Sequence, residues 1–148
     1  MKIIKEDIWK VECDAIIIPT NCQVRKDGTA VMGAGLAKQA ADRYPTLSQQ
    51  YGMCLHSFKT KPILLSPLDI YGRTRKNLLL FPTKIHWKDL SSLDLILENA
   101  YYFIDNFPDH INNIALPKLG CGLGGLDWET QVRPMLENIL DDRFYACV

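Results

Sequence analysis

The sequence predicts an α/β fold in which helices cover both faces of a central β-sheet. Short apolar runs, which are typical of strands, alternate along the chain with longer segments of helical periodicity. Residues 14–19 form a continuous apolar and β-branched run, which indicates a strand covered on both faces. Residues 91–107 have the strongest helical period. For a chain of 148 residues, this alternation predicts one three-layer domain spanning residues 1–148.

The other strands are predicted from short apolar runs that end at polar or turn-forming residues. We place them at residues 2–5, 62–66, 77–81, 113–116 and 143–148. Residues 72–74 predict a turn between two of them.

The other helices are predicted from a period near 3.6 residues. Residues 33–44 alternate an apolar and a charged face, and Pro45 ends this helix, after which residues 46–51 are expected to add one or two turns. Ser91 or Ser92 is a natural N-cap for the long helix. In residues 127–141, Pro134 predicts either a tight turn followed by a new helix or a kinked helix.

Composition excludes several classes of protein. The chain is 47% hydrophobic and has a formal net charge of zero, so it is neither disordered nor able to hold nucleic acid by a general positive field. Five cysteines without a Cys-x-x-Cys pair argue against a disulfide framework and a zinc knuckle. No apolar run is long enough for a signal peptide or a membrane span. We therefore expect a cytoplasmic protein with no membrane partner, no metal and no cofactor.

Two glycine-rich loops each follow a predicted strand. In the first, Gly33 and Gly35 precede a helix, whose free N-terminal amides favour phosphate. The second has four glycines within residues 120–125, without the spacing of a phosphate-binding loop or of the dinucleotide fingerprint. Because both loops follow strands at one sheet edge, together they could grip a diphosphate. The alternative for each is a tight strand-to-helix turn.

Two polar side chains next to strands are further candidates. Asp7 could accept a hydrogen bond from an exocyclic amine such as adenine N6, or it could be a solvated turn residue. Asn21 could address ribose hydroxyls, or it could stabilise an Asx turn.

These segments together resemble a macrodomain, the ADP-ribose-binding α/β/α module with a central mixed sheet. The resemblance rests on Asn21, residues 31–37, residues 81–84 and residues 117–128, and it extends over nearly the whole chain. The match is to the subgroup of DarG-type antitoxins and terminal ADP-ribose protein glycohydrolases. The resemblance implies that Asp7 and the Ile8 backbone hold adenine, that Asn21 meets the distal ribose, and that Lys84 is the lysine on which hydrolysis depends.

The residues that the resemblance assigns to ligand binding lie mainly in the two glycine loops. They are Asp7, Ile8, Asn21, Met32, Gly33, Ala34, Gly35, Leu36, Thr83, Leu119, Gly120, Cys121, Gly122, Leu123, Gly124 and Gly125.

The chain departs from that subgroup in several places. The connection from Asn21 to Gly33, which includes residues 25–28, is longer than in the antitoxins, and Ala34 replaces their common lysine. Gly124 stands where the human glycohydrolase has a catalytic aspartate. Residues 21–23 also lack the second asparagine of the protein mono-ADP-ribosyl hydrolases.

The resemblance implies an ADP-ribosyl glycohydrolase, whose partner is ADP-ribose or an ADP-ribosylated DNA or protein. Lys84 could attack the anomeric carbon as a neutral amine, or act as a cation that stabilises the departing group. We expect His86 to be structural, Trp87 to pack and the chain to be monomeric. The alternatives are a module that binds ADP-ribose without turnover and a phosphatase acting on ADP-ribose 1″-phosphate.

Overall fold

A six-stranded mixed sheet forms the centre of the protein, in a computed structural model that describes residues 1–74, 76–106 and 108–148. The strands are β1 (Lys2–Ile4), β2 (Ala15–Thr20), β3 (Ile63–Leu65), β4 (Asn77–Pro82), β5 (Ile114–Leu116) and β6 (Phe144–Cys147). Their order across the sheet is β1-β6-β5-β2-β4-β3, and every pair is parallel except β3 with β4. The carboxyl ends of β2, β4 and β5 therefore lie side by side at one edge.

Four α-helices cover the two faces of this sheet, as the sequence predicts. They are α1 (Gly35–Arg43), α2 (Leu47–Phe58), α3 (Leu93–Asp105) and α4 (Arg133–Glu137). Alternate residues of β2 serve the two faces: Ile16 and Ile18 pack in the core under α1 and α2, whereas Ala15 and Ile17 pack in the core under α3 and α4. The three-layer α/β/α prediction is confirmed.

Helix α2 is longer than the one or two turns predicted from residues 46–51. Its buried face is formed by Leu47, Tyr51 and Leu55, which recur every four residues and are at most 5% exposed. The hydroxyl of Tyr51 lies 2.8 Å from the Thr20 hydroxyl, which fixes α2 against the end of β2.

The remaining helix boundaries follow capping and proline chemistry. Ser92 caps α3, because its hydroxyl accepts the Leu95 amide at 3.1 Å. Phe107, predicted to end this helix, lies outside the described residues. Of the two alternatives for Pro134, the structure has the separate turn: a π-helical turn (Trp128–Val132) precedes α4, and Pro134 lies in the first turn of α4.

Among the residues described, no helix is both long and apolar enough to cross a bilayer.

Candidate ligand-binding cleft

A cleft of about 730 Å³ opens at the carboxyl ends of β2, β4 and β5. Its size lies within the usual range for small-molecule sites, ~300–1,000 Å³. Four segments line it: the end of β2 with the chain as far as Arg25, residues 31–37 at the start of α1, the loop after β4, and the glycine loop after β5. The two glycine loops therefore meet at one cleft, as their positions after neighbouring strands predict.

Most of the predicted site residues line this cleft. They are Asn21, Met32, Gly33, Ala34, Gly35, Leu36, Thr83, Lys84, Gly120, Gly122, Leu123 and Gly124.

The remaining predicted site residues lie outside the lining, where each has another contact or is buried. Asp7 accepts the Trp9 amide at 3.0 Å, which is the turn role left open by the sequence, and Ile8 packs in the core under α1 and α2. Leu119 is only 1% exposed. The Cys121 thiol donates to the Leu119 carbonyl at 3.2 Å, and Gly125 packs against Leu90.

The N-terminus of α1 is uncapped where it reaches the cleft. Ala34 occupies the N-cap position and has no side chain that could accept an amide. The Lys38 amide bonds the Ala34 carbonyl at 3.2 Å, so the amides before it, from Gly35 to Ala37, have no partner within the helix. Gly35 itself has φ +57°, a conformation that glycine adopts without strain. This end of the helix is therefore suited to an anion.

The second glycine loop contains both open and closely packed positions. A methyl group on Gly122 would meet nothing within 4 Å, so this backbone is accessible from the cleft. A methyl group on Gly124 would lie 2.1 Å from the Ser91 hydroxyl oxygen and 2.5 Å from the Gly120 carbonyl oxygen. The Ser91 amide also donates to the Gly124 carbonyl at 2.9 Å. Gly124 is thus required by packing, and no aspartate side chain fits there in this conformation.

Lys84 lies in the loop after β4, which is tied to the end of β2. The Thr83 amide donates to Thr20 at 2.9 Å, and the Cys22 amide donates to Ile85 at 2.8 Å. The Cys22 thiol donates to the Lys84 carbonyl at 3.5 Å, and burial raises the pKa of this thiol to about 11, so it remains protonated. These bonds fix the backbone on both sides of Lys84.

Every charged side chain that lines the cleft is a cation. Arg25, Lys84 and Lys118 line it, and no aspartate or glutamate is among the described lining residues. Arg25 is held by a hydrogen bond to the Ala30 carbonyl at 2.8 Å. Within the described part of the chain, no ion pair or hydrogen bond involves the ammonium group of Lys84. The protein is neutral as a whole, so this positive charge is local.

Asn21 serves the local structure and also lines the cleft. Its Oδ1 accepts the Gln23 amide at 2.9 Å, which makes the Asx turn left open by the sequence, and its Nδ2 donates to Val31 at 3.0 Å. One amide hydrogen of Asn21 remains for a ligand.

Several lining residues were not assigned to the site by the sequence reasoning, and three of them have distinctive structural features. Gln23 has a buried Oε1 without a hydrogen-bond partner in the described residues, and the residue type gives no warning of this. Arg25 reaches the cleft because residues 24–30 fold into a small hairpin, closed by a bridge between Val24 and Ala30. Trp87 was expected to pack, and this prediction is wrong: the side chain is 49% exposed at the cleft.

His86 has the structural role predicted for it. Its Nδ1 accepts the Lys88 amide at 3.2 Å, and its own amide donates to the Asp89 carboxylate at 3.0 Å.

No family model matches the chain. Comparison with curated proteins finds the DNA ADP-ribosyl glycohydrolase of Mycobacterium tuberculosis, which is 32% identical over 127 residues, covering 83% of this chain and 34% of that protein. The chain spans about a third of the length of such curated relatives.

Solved structures agree with this result. The structure of Thermosipho africanus DarTG in complex with ADP-ribose matches 98% of this chain and 40% of its own, with a TM-score of 0.78 and 25% identity. The macrodomain of M. tuberculosis DarG matches 97% of this chain and 95% of its own, with a TM-score of 0.69 and 26% identity.

The fold and the cleft at its sheet edge define this chain as a macrodomain. Its homologues are DarG macrodomains, which confirms the resemblance drawn from the sequence.

Proposed function

We propose that residues 1–148 act as one macrodomain that binds ADP-ribose in the cleft and hydrolyses an ADP-ribosyl linkage to DNA. One observation carries the binding part of the proposal: free backbone amides and cations converge on the cleft, and no carboxylate among the described residues lines it. An anion held between the start of α1 and the glycine loop would meet donors from both sides. The choice of DNA is supported by the names of the relatives, which are DNA ADP-ribosyl glycohydrolases.

The diphosphate of ADP-ribose fits this arrangement. The uncapped amides of Gly35 to Ala37 would donate to one phosphate, and the open backbone at Gly122 leaves room for the ligand to approach the opposite loop. Asn21 retains an amide hydrogen, which could donate to a hydroxyl group of a ribose.

Lys84 is the proposed catalytic residue. As a nucleophile, its neutral amine would attack the anomeric carbon; the bond from that carbon to the DNA base would break, and its electron pair would leave with the base, which takes up a proton. Water would then hydrolyse the lysine adduct and release ADP-ribose. As a cation, Lys84 would instead stabilise the negative charge that develops on the departing group. Both roles require Lys84 beside the bond that breaks. Arginine can replace lysine as a cation but not as a nucleophile, because its guanidinium stays protonated.

The test compares three lysine variants on two substrates, an ADP-ribosylated oligonucleotide and an ADP-ribosylated protein. We expect Lys84→Ala to lower the release of ADP-ribose from DNA at least ~100-fold, the usual effect of removing a group that stabilises a transition state. Lys84→Arg retains part of the activity if the charge is what matters, and loses it if Lys84 is a nucleophile. Lys61→Ala is the control, because Lys61 lies outside the cleft lining and over the Tyr102 ring.

Each part of the proposal can fail separately. If Lys84→Ala releases ADP-ribose from every substrate as fast as the unmodified protein, Lys84 is not catalytic. If calorimetry with free ADP-ribose shows neither heat nor a rise in melting temperature, the cleft is not an ADP-ribose site. Release from protein alone would contradict the assignment to DNA.

A module that binds ADP-ribose without turnover is the second candidate. The specific observation in its favour is that no described carboxylate lines the cleft and that Gly124 leaves no room for one. This candidate predicts binding of ADP-ribose and no product from either substrate after long incubation.

A further inference from the structure

The mouth of the cleft carries apolar side chains that remain exposed. Trp87 is 49% exposed and Leu123 is 78% exposed, and both line the cleft. Val24, at 39% exposure, lines it as well. Exposed apolar side chains that line one cleft commonly mark a binding surface. The free amides and cations described above account for an anion, but they do not account for this apolar edge.

Trp87 is held in place by its own loop. The Lys88 amide donates to His86 Nδ1 at 3.2 Å, and the Asp89 amide donates to the His86 carbonyl at 3.0 Å, which forms a closed turn. The His86 ring is stacked on the Trp87 ring with centroids 5.9 Å apart, and the Lys88 ammonium lies 5.1 Å from the Trp87 centroid. Despite these contacts Trp87 is 49% exposed, so the open part of a fixed indole can receive a flat ring with little loss of side-chain freedom.

Charge limits the direction in which a nucleic acid could leave the site. On another side of Lys84, a groove of about 330 Å³ is lined by Asp89, Asp94 and Glu98, which would repel phosphates. The cleft itself is lined by Arg25 and Lys118 in addition to Lys84. A phosphate chain attached to the ligand is therefore favoured along the cleft, whose lining includes Trp87 and Leu123, over the acidic groove.

We propose that Trp87, with Leu123, binds the nucleobase that carries the ADP-ribosyl group, and so selects nucleic-acid substrates over protein ones. This inference rests on the proposed function, since it concerns the group that leaves when the linkage is broken. Indole rings stack on any base, because every base has a π-face. The base must be out of the duplex to stack in this way, so the substrate is a single-stranded or unpaired segment.

The test measures binding in the Lys84→Ala background, so that no substrate is consumed. The ligands are free ADP-ribose and a short single-stranded oligonucleotide with ADP-ribose on one base. We expect the oligonucleotide to bind more tightly than ADP-ribose, and Trp87→Ala to remove ~5- to 150-fold of that affinity, the range found for stacking one base. The Kd of free ADP-ribose should change less than about twofold, and Trp87→Phe should recover most of the loss.

A matched control is available elsewhere on the surface. Tyr71 is 71% exposed, and its ring lies 5.0 Å from the guanidinium of Arg73. It therefore resembles Trp87 in being an exposed aromatic ring next to a cation, but it does not line the cleft. Tyr71→Ala should leave the affinity for both ligands unchanged. Melting temperatures of all variants show whether a loss of affinity reflects unfolding.

Several outcomes would overturn the inference without touching the glycohydrolase proposal. One is equal loss of affinity for free ADP-ribose in Trp87→Ala, which would place the indole on the ADP-ribose moiety itself. Another is equal loss for an ADP-ribosylated peptide, which would remove the preference for a base. A third is an oligonucleotide that binds no more tightly than ADP-ribose. If the unmodified protein shows no turnover while the variants show all of the expected changes in affinity, the glycohydrolase proposal is refuted and the inference about Trp87 is not.

Discussion

The contact between Gly124 and Ser91 gives a stability prediction that can be worked out from distances. A methyl group at Gly124 would lie 2.1 Å from the Ser91 oxygen, 2.8 Å from the Ser91 β-carbon and 2.5 Å from the Gly120 carbonyl oxygen, all far inside van der Waals contact. Overpacking of this kind usually lowers the free energy of unfolding by ~1–3 kcal/mol. Because one of the three atoms belongs to the backbone, we expect Gly124→Ala to fall in the upper half of that range.

Urea denaturation measures this effect when Gly124→Ala is compared with Gly122→Ala and with the double variant Ser91→Ala/Gly124→Ala. Gly122→Ala is the control in the same loop, since a methyl group there meets nothing within 4 Å, and its stability should change by less than about 1 kcal/mol. Adding Ser91→Ala to Gly124→Ala removes the closest contact, and part of the lost stability should return. If Gly124→Ala unfolds at the same urea concentration as Gly122→Ala, the packing argument is wrong, and aspartate at position 124 is no longer excluded by it.

Two further predictions concern the support of the cleft. A methyl group at Gly52 of α2 would lie 2.0 Å from the Gly28 carbonyl oxygen, so Gly52→Ala should displace the hairpin that carries Arg25. We expect the free energy of unfolding in urea to fall by ~1–3 kcal/mol and calorimetry to show weaker binding of ADP-ribose. If both values are unchanged, α2 does not pack under this hairpin as described. The pKa of Cys22, raised by burial from 9.0 to about 11, predicts slow alkylation by iodoacetamide at pH 8 and a rate that rises between pH 9 and 11. Because the folded pKa lies above the unfolded one, the stability linked to this thiol is complete below pH 9 and is lost as the pH rises through about 11. The melting temperature of Cys22→Ala should therefore fall less steeply with rising pH than that of the unmodified protein. Rapid alkylation at pH 8 would refute the raised pKa.

The parts of the fold that the sequence predicted well are those with one dominant local pattern. The run that became β2 is apolar at nearly every position, as a strand buried on both faces must be, and α3 has an apolar face with a serine cap. Helix α2 was predicted too short because glutamine, glycine and serine interrupt its apolar face. Gly52, which weakens that pattern, is present because the hairpin packs directly on it.

The candidate site was predicted where residue type alone carries the chemistry. Glycines after two neighbouring strands indicated the cleft. Lys84 was assigned to the site only by the resemblance to macrodomains, and it lines the same cleft. The exposure of Trp87 could not be predicted, because the burial of an aromatic ring depends on what packs against it in three dimensions. The positive charge of the cleft was also hidden, since equal numbers of acidic and basic residues cancel in the composition and only the fold separates them.

That separation of charge bears on how a DNA-bound ligand would be found and released. A field from a few cations on a neutral protein is screened within a Debye length, ~8 Å at physiological ionic strength. Unmodified DNA would therefore feel little attraction at a distance and would compete weakly for the cleft. After the linkage is broken, the strand would lose the ADP-ribose contacts and keep only the stacking of one base on Trp87, so product inhibition by the polymer should be slight at physiological salt.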